Sequence, residues 1–199
     1  MKIQSLTQRF GRLGLVAVAT AATLQFGGCA SVTLPAASGT AGNVEKLKAS
    51  GAQAMTVGDF KAAPGKASDA DRGVSVRGSN SLSPAKGSFA LQLRDQLSAE
   101  LKAAGLDAPG AKVAISATVT DNQLEAGLSK GMGRLAARFQ VKRDGQMAYD
   151  KELVAASDWE TSFVAAVAVP DAFNRYGALY QNLVGKLIDD PEFRAAVKR

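Results

Sequence analysis

Arg134-Leu-Ala-Ala-Arg-Phe-Gln-Val-Lys142, then Arg143-Asp144-Gly145, then Gln146-Met-Ala-Tyr-Asp-Lys-Glu-Leu-Val154, is the stretch that decides the fold. Leu135, Ala137, Phe139 and Val141 alternate with Arg134, Arg138, Gln140 and Lys142. Period two with one apolar side is the mark of a strand that buries one face and shows the other to water. Asp144-Gly145 signals a hairpin. A two-residue loop would pair Arg143 with Gln146 and set Phe139 against Asp150. A three-residue loop over 143–145 pairs Val141 with Met147, Phe139 with Tyr149 and Leu135 with Leu153, so the apolar faces match. The three-residue loop is therefore expected, with Gly145 at positive φ in a bulge.

Upstream, 112–121 alternates in the same way, with Val113, Ile115, Ala117 and Val119 inward. The segment 127–133 reads as a glycine-rich loop. Ser83-Pro84 reads as a helix start, Ser as N-cap and Pro at the first helical position. The helix presents Phe89, Ala90, Leu93, Leu97, Leu101 and Ala104 on one side and stops at Gly105. Before it, 52–60 and 73–78 read as strands, with a loop over 62–72 and a polar turn over 79–83. Downstream, Phe173, Tyr176, Leu179, Tyr180, Leu183, Val184, Leu187 and Ile188 recur at three and four, predicting a long helix to Asp189. Asp189-Asp190-Pro191 breaks it before a short terminal helix. The expected class is α+β: a mostly antiparallel sheet with two helices on one face.

The N-terminus has a separate logic. Lys2, Arg9 and Arg12 precede an apolar run over 13–26, which is too short to span a bilayer. The run ends in Gly27-Gly28-Cys29, and Cys29 is the only cysteine. Small residues ahead of a lone cysteine let a peptidase approach the backbone, and the thiol then accepts lipid. The segment resembles a bacterial lipoprotein signal cleaved between Gly28 and Cys29, departing from it at Phe26. Diacylglycerol and an N-acyl chain on Cys29 would anchor the protein, with no other cofactor expected. By the same resemblance, Ala30 and Ser31 in place of Asp after the cysteine favour the outer membrane, with the domain facing the periplasm. The expected organisation is a signal peptide over 1–28, a lipidated cysteine and flexible linker over 29–48, and one domain over 49–199.

The formal charge is +6, and half of it lies in the leader. The rest is too mild to indicate nucleic acid. The chain has no histidine, which removes the commonest general base and metal ligand. With no histidine to serve a serine as base, no catalytic residue and no metal ligand is assigned. Gly127-Leu-Ser-Lys-Gly-Met-Gly133 lacks the ending of a phosphate loop and precedes a strand, so no nucleotide is expected. Asp69 with Asp71, and Asp189 with Asp190, read as solvated turn residues. Lys130 in the glycine-rich loop, the outward Arg134 and Arg138, and Trp159 at a strand end are the candidate partner contacts.

The run Gly73-Val-Ser-Val-Arg-Gly-Ser-Asn-Ser81, the Leu91–Leu97 segment, the Ala148-Tyr149-Asp150-Lys151 hairpin and the Asp189-Asp190-Pro191-Glu192-Phe193 close resemble the YajG-type outer-membrane lipoproteins. That resemblance covers roughly 50–199. It implies a fold similar to the N-terminal domain of TolB and an accessory role in the envelope without catalysis. The expected function is a lipid-anchored scaffold acting through an envelope protein partner. The alternative is an auxiliary lipoprotein of an ABC-type lipid or solute transporter, binding lipid or the transporter.

Overall fold

The computed structural model describes residues 31–199. In chain order the elements are β1 (Ser31–Thr33), α1 (Ala41–Ala49), β2 (Met55–Ala62), α2 (Lys66–Asp69), β3 (Val74–Val76), β4 (Asn80–Ser83), α3 (Phe89–Ala104), β5 (Val113–Ala126), β6 (Lys130–Arg143), β7 (Gln146–Glu160), α4 (Ala165–Asp189) and α5 (Pro191–Val197). The main sheet has the order β2-β5-β6-β7, with β2 parallel to β5 and the other pairs antiparallel. A smaller sheet runs β1-β4-β3. The α+β expectation holds, and α3 and α4 cover one face of the main sheet.

The core lies where the periodicities meet. All eight apolar positions of the α4 stripe are buried, as are Phe89, Leu93, Leu97 and Leu101 of α3 and the inward rows of β5 and β6. Each such Leu or Phe contributes about 1.5–3 kcal/mol relative to exposure. Gly105 closes α3 at φ 75° in the left-handed region, as expected.

The hairpin register differs from expectation. Asp144 and Gly145 both have positive φ, 49° and 81°, and Arg143 pairs with Gln146. The loop is the two-residue one. The apolar faces still match, because the register shifts after Lys142↔Met147 to Val141↔Tyr149. Ala148 is the extra residue. A bulge inside β7 does what the longer loop was expected to do. Leu135 consequently faces Ala155 and Phe139 faces Lys151.

The helix start also moves. Ser83 belongs to β4, and Ser88 is the N-cap of α3, its Oγ accepting from the Leu91 amide at 3.2 Å. Asp71 accepts from the Ala90 amide at 2.8 Å. Asp190 is buried and caps α5, accepting from the Glu192 and Phe193 amides. These two acids are therefore helix-capping groups rather than solvated turn residues.

The linker expected over 29–48 is corrected from Ser31 onward. β1 pairs in parallel with β4, Leu34 enters the core, and α1 buries Asn43 and Leu47. The fully buried Glu100 organises the docking. One of its carboxylate oxygens accepts from the Thr40 amide at 2.9 Å. The other accepts from Thr40 Oγ1 at 2.9 Å, Asn43 Nδ2 at 3.1 Å and Gln96 Nε2 at 3.0 Å. A buried carboxylate with this many donors is satisfied. The segment lacks a periodic apolar face because polar contacts to residues nearly sixty positions away hold it.

Candidate interaction surface at the Trp159 end of the sheet

Lys130, Arg134 and Arg138 stand four residues apart along β6, on the face of the sheet that the helices leave open. They do not form a free basic row. Arg134 pairs with Asp121 at 2.7 Å and Arg138 with Asp150 at 2.6 Å. Hydrogen bonds from Arg138 and then Gln140 hold the Asp150 carboxyl below its ordinary range, and Asp150 in turn raises the Arg138 pKa. Both pairs are solvent-facing, where an ion pair contributes little to stability. Lys130 is exposed, at the start of β6 opposite Glu160.

Trp159 points to the other side. It is 8% exposed and pairs with Gly131. The expected glycine loop is only residues 127–129, and Gly131 and Gly133 lie within β6. An added Cβ on Gly131 would come within 2.3 Å of the indole. The glycine is thus a seat for the ring rather than a hinge. Arg175 lies 5.4 Å over the Trp159 ring while pairing with Asp171, a cation–π arrangement. The indole nitrogen is buried without a hydrogen-bond partner. The structure therefore splits the four candidate contacts between two faces of the sheet.

What sequence reading missed is the end of the sheet itself. Arg77, in the β3–β4 turn, is held at φ 48°, a costly conformation for a non-glycine residue. Its guanidinium donates to four carbonyls: Ala126 at 3.0 Å, Gly127 at 2.6 Å, Ser162 at 2.6 Å and Phe163 at 2.9 Å. Together with the Thr161 amide on the Ser129 carbonyl at 3.0 Å, it binds the β5–β6 loop to the β7–α4 connection. The two loops carry the largest exposed apolar side chains of this end, Leu128 at 67% and Phe163 at 76%. Val164 and Val167 follow, and Ala165 and Ala166 between them are also exposed. The signal was present in the sequence as Phe163-Val-Ala-Ala-Val167, a polar-free run ahead of the buried stripe.

Among the described residues, no group of three or more His, Cys, Asp or Glu side chains could hold a metal ion. None of their helices is long and apolar enough to cross a membrane. The described residues form an α+β fold with a charge-paired open sheet face and an apolar end.

No family model and no curated protein matches the chain. Among solved structures it is similar to protein XCC0632 from Xanthomonas campestris, described as DUF330, at 15% identity and TM-score 0.54, covering 80% of this chain and 95% of that one. That likeness establishes a shared fold. A minor lipoprotein from Acinetobacter baumannii aligns at 17% identity and TM-score 0.41, over 72% of this chain and 91% of that one.

Proposed function

We propose that the chain is a lipid-anchored, non-catalytic accessory lipoprotein of the bacterial cell envelope, of the YajG-type kind, acting through protein contacts from the outer membrane. The carrying observation is Cys29: a lone cysteine after Gly27-Gly28 at the end of a secretory-type leader, two residues ahead of the first strand. Several acyl chains on one residue give lasting membrane attachment, because each buried CH₂ adds about 0.8 kcal/mol. Ala30 after the cysteine supports the outer membrane. The open sheet face with Lys130, Arg134 and Arg138 is the surface offered to a protein partner, and its charge pairs would set register more than affinity.

The test is the mass of the mature N-terminal peptide, together with membrane fractionation of wild type and Cys29→Ser. The reading expects a diacylglycerol and N-acyl adduct, recovery with outer membranes, and loss of both in the variant. Photocrosslinking from positions 130, 134 and 138 should recover one defined envelope protein. A Cys29→Ser protein that matures and fractionates as wild type would overturn the reading.

A further inference from the structure

Residues 163–167 form a run of five apolar side chains exposed to solvent, and Leu128 stands exposed on the adjoining loop. The first turn of α4 carries no acidic residue, and Val164 at its N-cap makes no side-chain cap. Helix starts ordinarily favour polar caps and acids. Consecutive exposed apolar residues are disfavoured on a surface meant only for water.

The place where the chain leaves the domain identifies what covers this patch. β1 runs parallel to β4, with Ser31 beside Ser81 and their hydroxyls 3.1 Å apart. Tracing back from Ser31 therefore leads towards the 77–79 turn, the turn whose Arg77 grips the Gly127, Ser162 and Phe163 carbonyls. Cys29 is two residues further back, at most about 7 Å of extended chain. With 31–49 docked on the domain, no long tether remains to hold the domain away from its anchor.

We propose that this apolar end is the bilayer-contacting end of the domain, with Leu128, Phe163, Val164 and Val167 resting in the interface of the membrane that holds the anchor. The proposal rests on the reading of Cys29 as lipidated. Once that lipid inserts, contact of the tip with the bilayer is intramolecular, so a few apolar side chains suffice where they would not recruit a free protein. Lys130 and Glu160 face each other at the base of this end, so their charges offset and the apolar side chains make the contact.

The chain's single cysteine makes the test direct. With Cys29 blocked by lipid, a thiol introduced as Leu128→Cys, Phe163→Cys or Met147→Cys takes an environment-sensitive fluorophore alone. Met147 is exposed beside the opposite turn, at the far end of the fourteen-residue β6. The mature lipidated protein is reconstituted in phosphatidylethanolamine–phosphatidylglycerol vesicles with a lipid-borne quencher. Labels at 128 and 163 are expected to shift to the blue and lose emission, while the label at 147 does neither. The triple change Phe163→Ser, Val164→Ser and Val167→Ser, all at exposed positions, should abolish quenching at 128. Equal quenching at both ends, or none at 128 and 163, overturns the proposal. In native membranes, shielding of 128 and 163 from an aqueous quencher without lipid quenching would place a protein there and overturns it as well. Intact mass of the same sample separates the two ideas. A missing adduct sinks the anchor and the docking with it, whereas an adduct without quenching sinks the docking alone.

Discussion

Gly131 lies directly beneath the indole of Trp159: a Cβ on the glycine would stand 2.3 Å from Cε2 and 2.5 Å from Nε1. The ring cannot yield freely, since Gly133 and Leu179 border the same space and Arg175 lies over it.

Gly131→Ala is therefore expected to destabilise the domain by about 1–3 kcal/mol, the range of an overpacked core. It should also change the emission of the only tryptophan. Gly42→Ala is the control. It lies in α1 with nothing within 4 Å of the added carbon, and is expected to be neutral or to stabilise by about 0.5–1 kcal/mol. Urea unfolding followed by circular dichroism measures both. An unchanged midpoint for Gly131→Ala would refute the seating argument.

Glu100→Ala should cost at least about 2 kcal/mol, because it strands the Thr40, Asn43 and Gln96 donors without their acceptor. The loss should also be local: limited proteolysis is expected to cut within 34–48 well before the rest of the chain. Cleavage spread evenly along the sequence would show that Glu100 does not govern the docking.

Arg77→Met removes four charge-assisted hydrogen bonds to carbonyls of two loops. Amide exchange at 126–130 and 161–165 should accelerate while the α4 centre stays protected. Arg77→Gly relieves the positive-φ cost and still loses the clamp, so the same loops should loosen with a smaller drop in global stability.

The pH response has opposite signs at its two ends. Burial acts to raise the Asp190 pKa, but the hydrogen bond from Lys151 and those from the Phe193 and Glu192 amides outweigh it and leave the carboxyl below its ordinary value. Its contribution is thus present above the ordinary carboxylate range and fades as pH falls through the lowered value. Asp190→Asn should flatten that acid limb, and its thermal midpoint at neutral pH should fall. At the alkaline end the three tyrosines act, beside Lys151, whose hydrogen bonds to Asp190 and Glu192 raise its pKa. Burial, with Asp190 nearby, pushes Tyr149 up to about 12, and burial raises Tyr176 and Tyr180 as well. Stability is whole below their unfolded value of about 10 and lost as pH climbs past it. Tyrosinate absorbance should appear together with loss of circular dichroism; gradual ionisation ahead of unfolding would contradict it.

These sites also mark where sequence stops being legible. The α4 stripe and the alternations of β5 and β6 are local patterns, and each landed on the expected face. The Ser88 cap, the Ala148 bulge and the docking of 31–49 are not local. Ser83 satisfies the helix-start pattern as well as Ser88 does, and only pairing with β1 takes it away. Face-matching demanded one extra residue somewhere in the hairpin, and nothing in the sequence distinguished the loop from the strand as its place. Gly131 and Gly133 read as a flexible segment because the residue that needs them, Trp159, lies across the sheet. The candidate contacts Arg134 and Arg138 were legible as outward-facing, but their Asp121 and Asp150 partners depend on two separate registers, β5–β6 and β6–β7, each shifted by an irregularity.

Asn43 donates to both Glu100 and the Gln181 carbonyl, so the earliest part of the domain to be synthesised waits on nearly the last. Until position 181 has emerged, Asn43 lacks one of its two acceptors, and the segment 31–44 has no completed berth. The amino-terminal segment is therefore a late lock, thrown only after the sheet and most of α4 have been delivered.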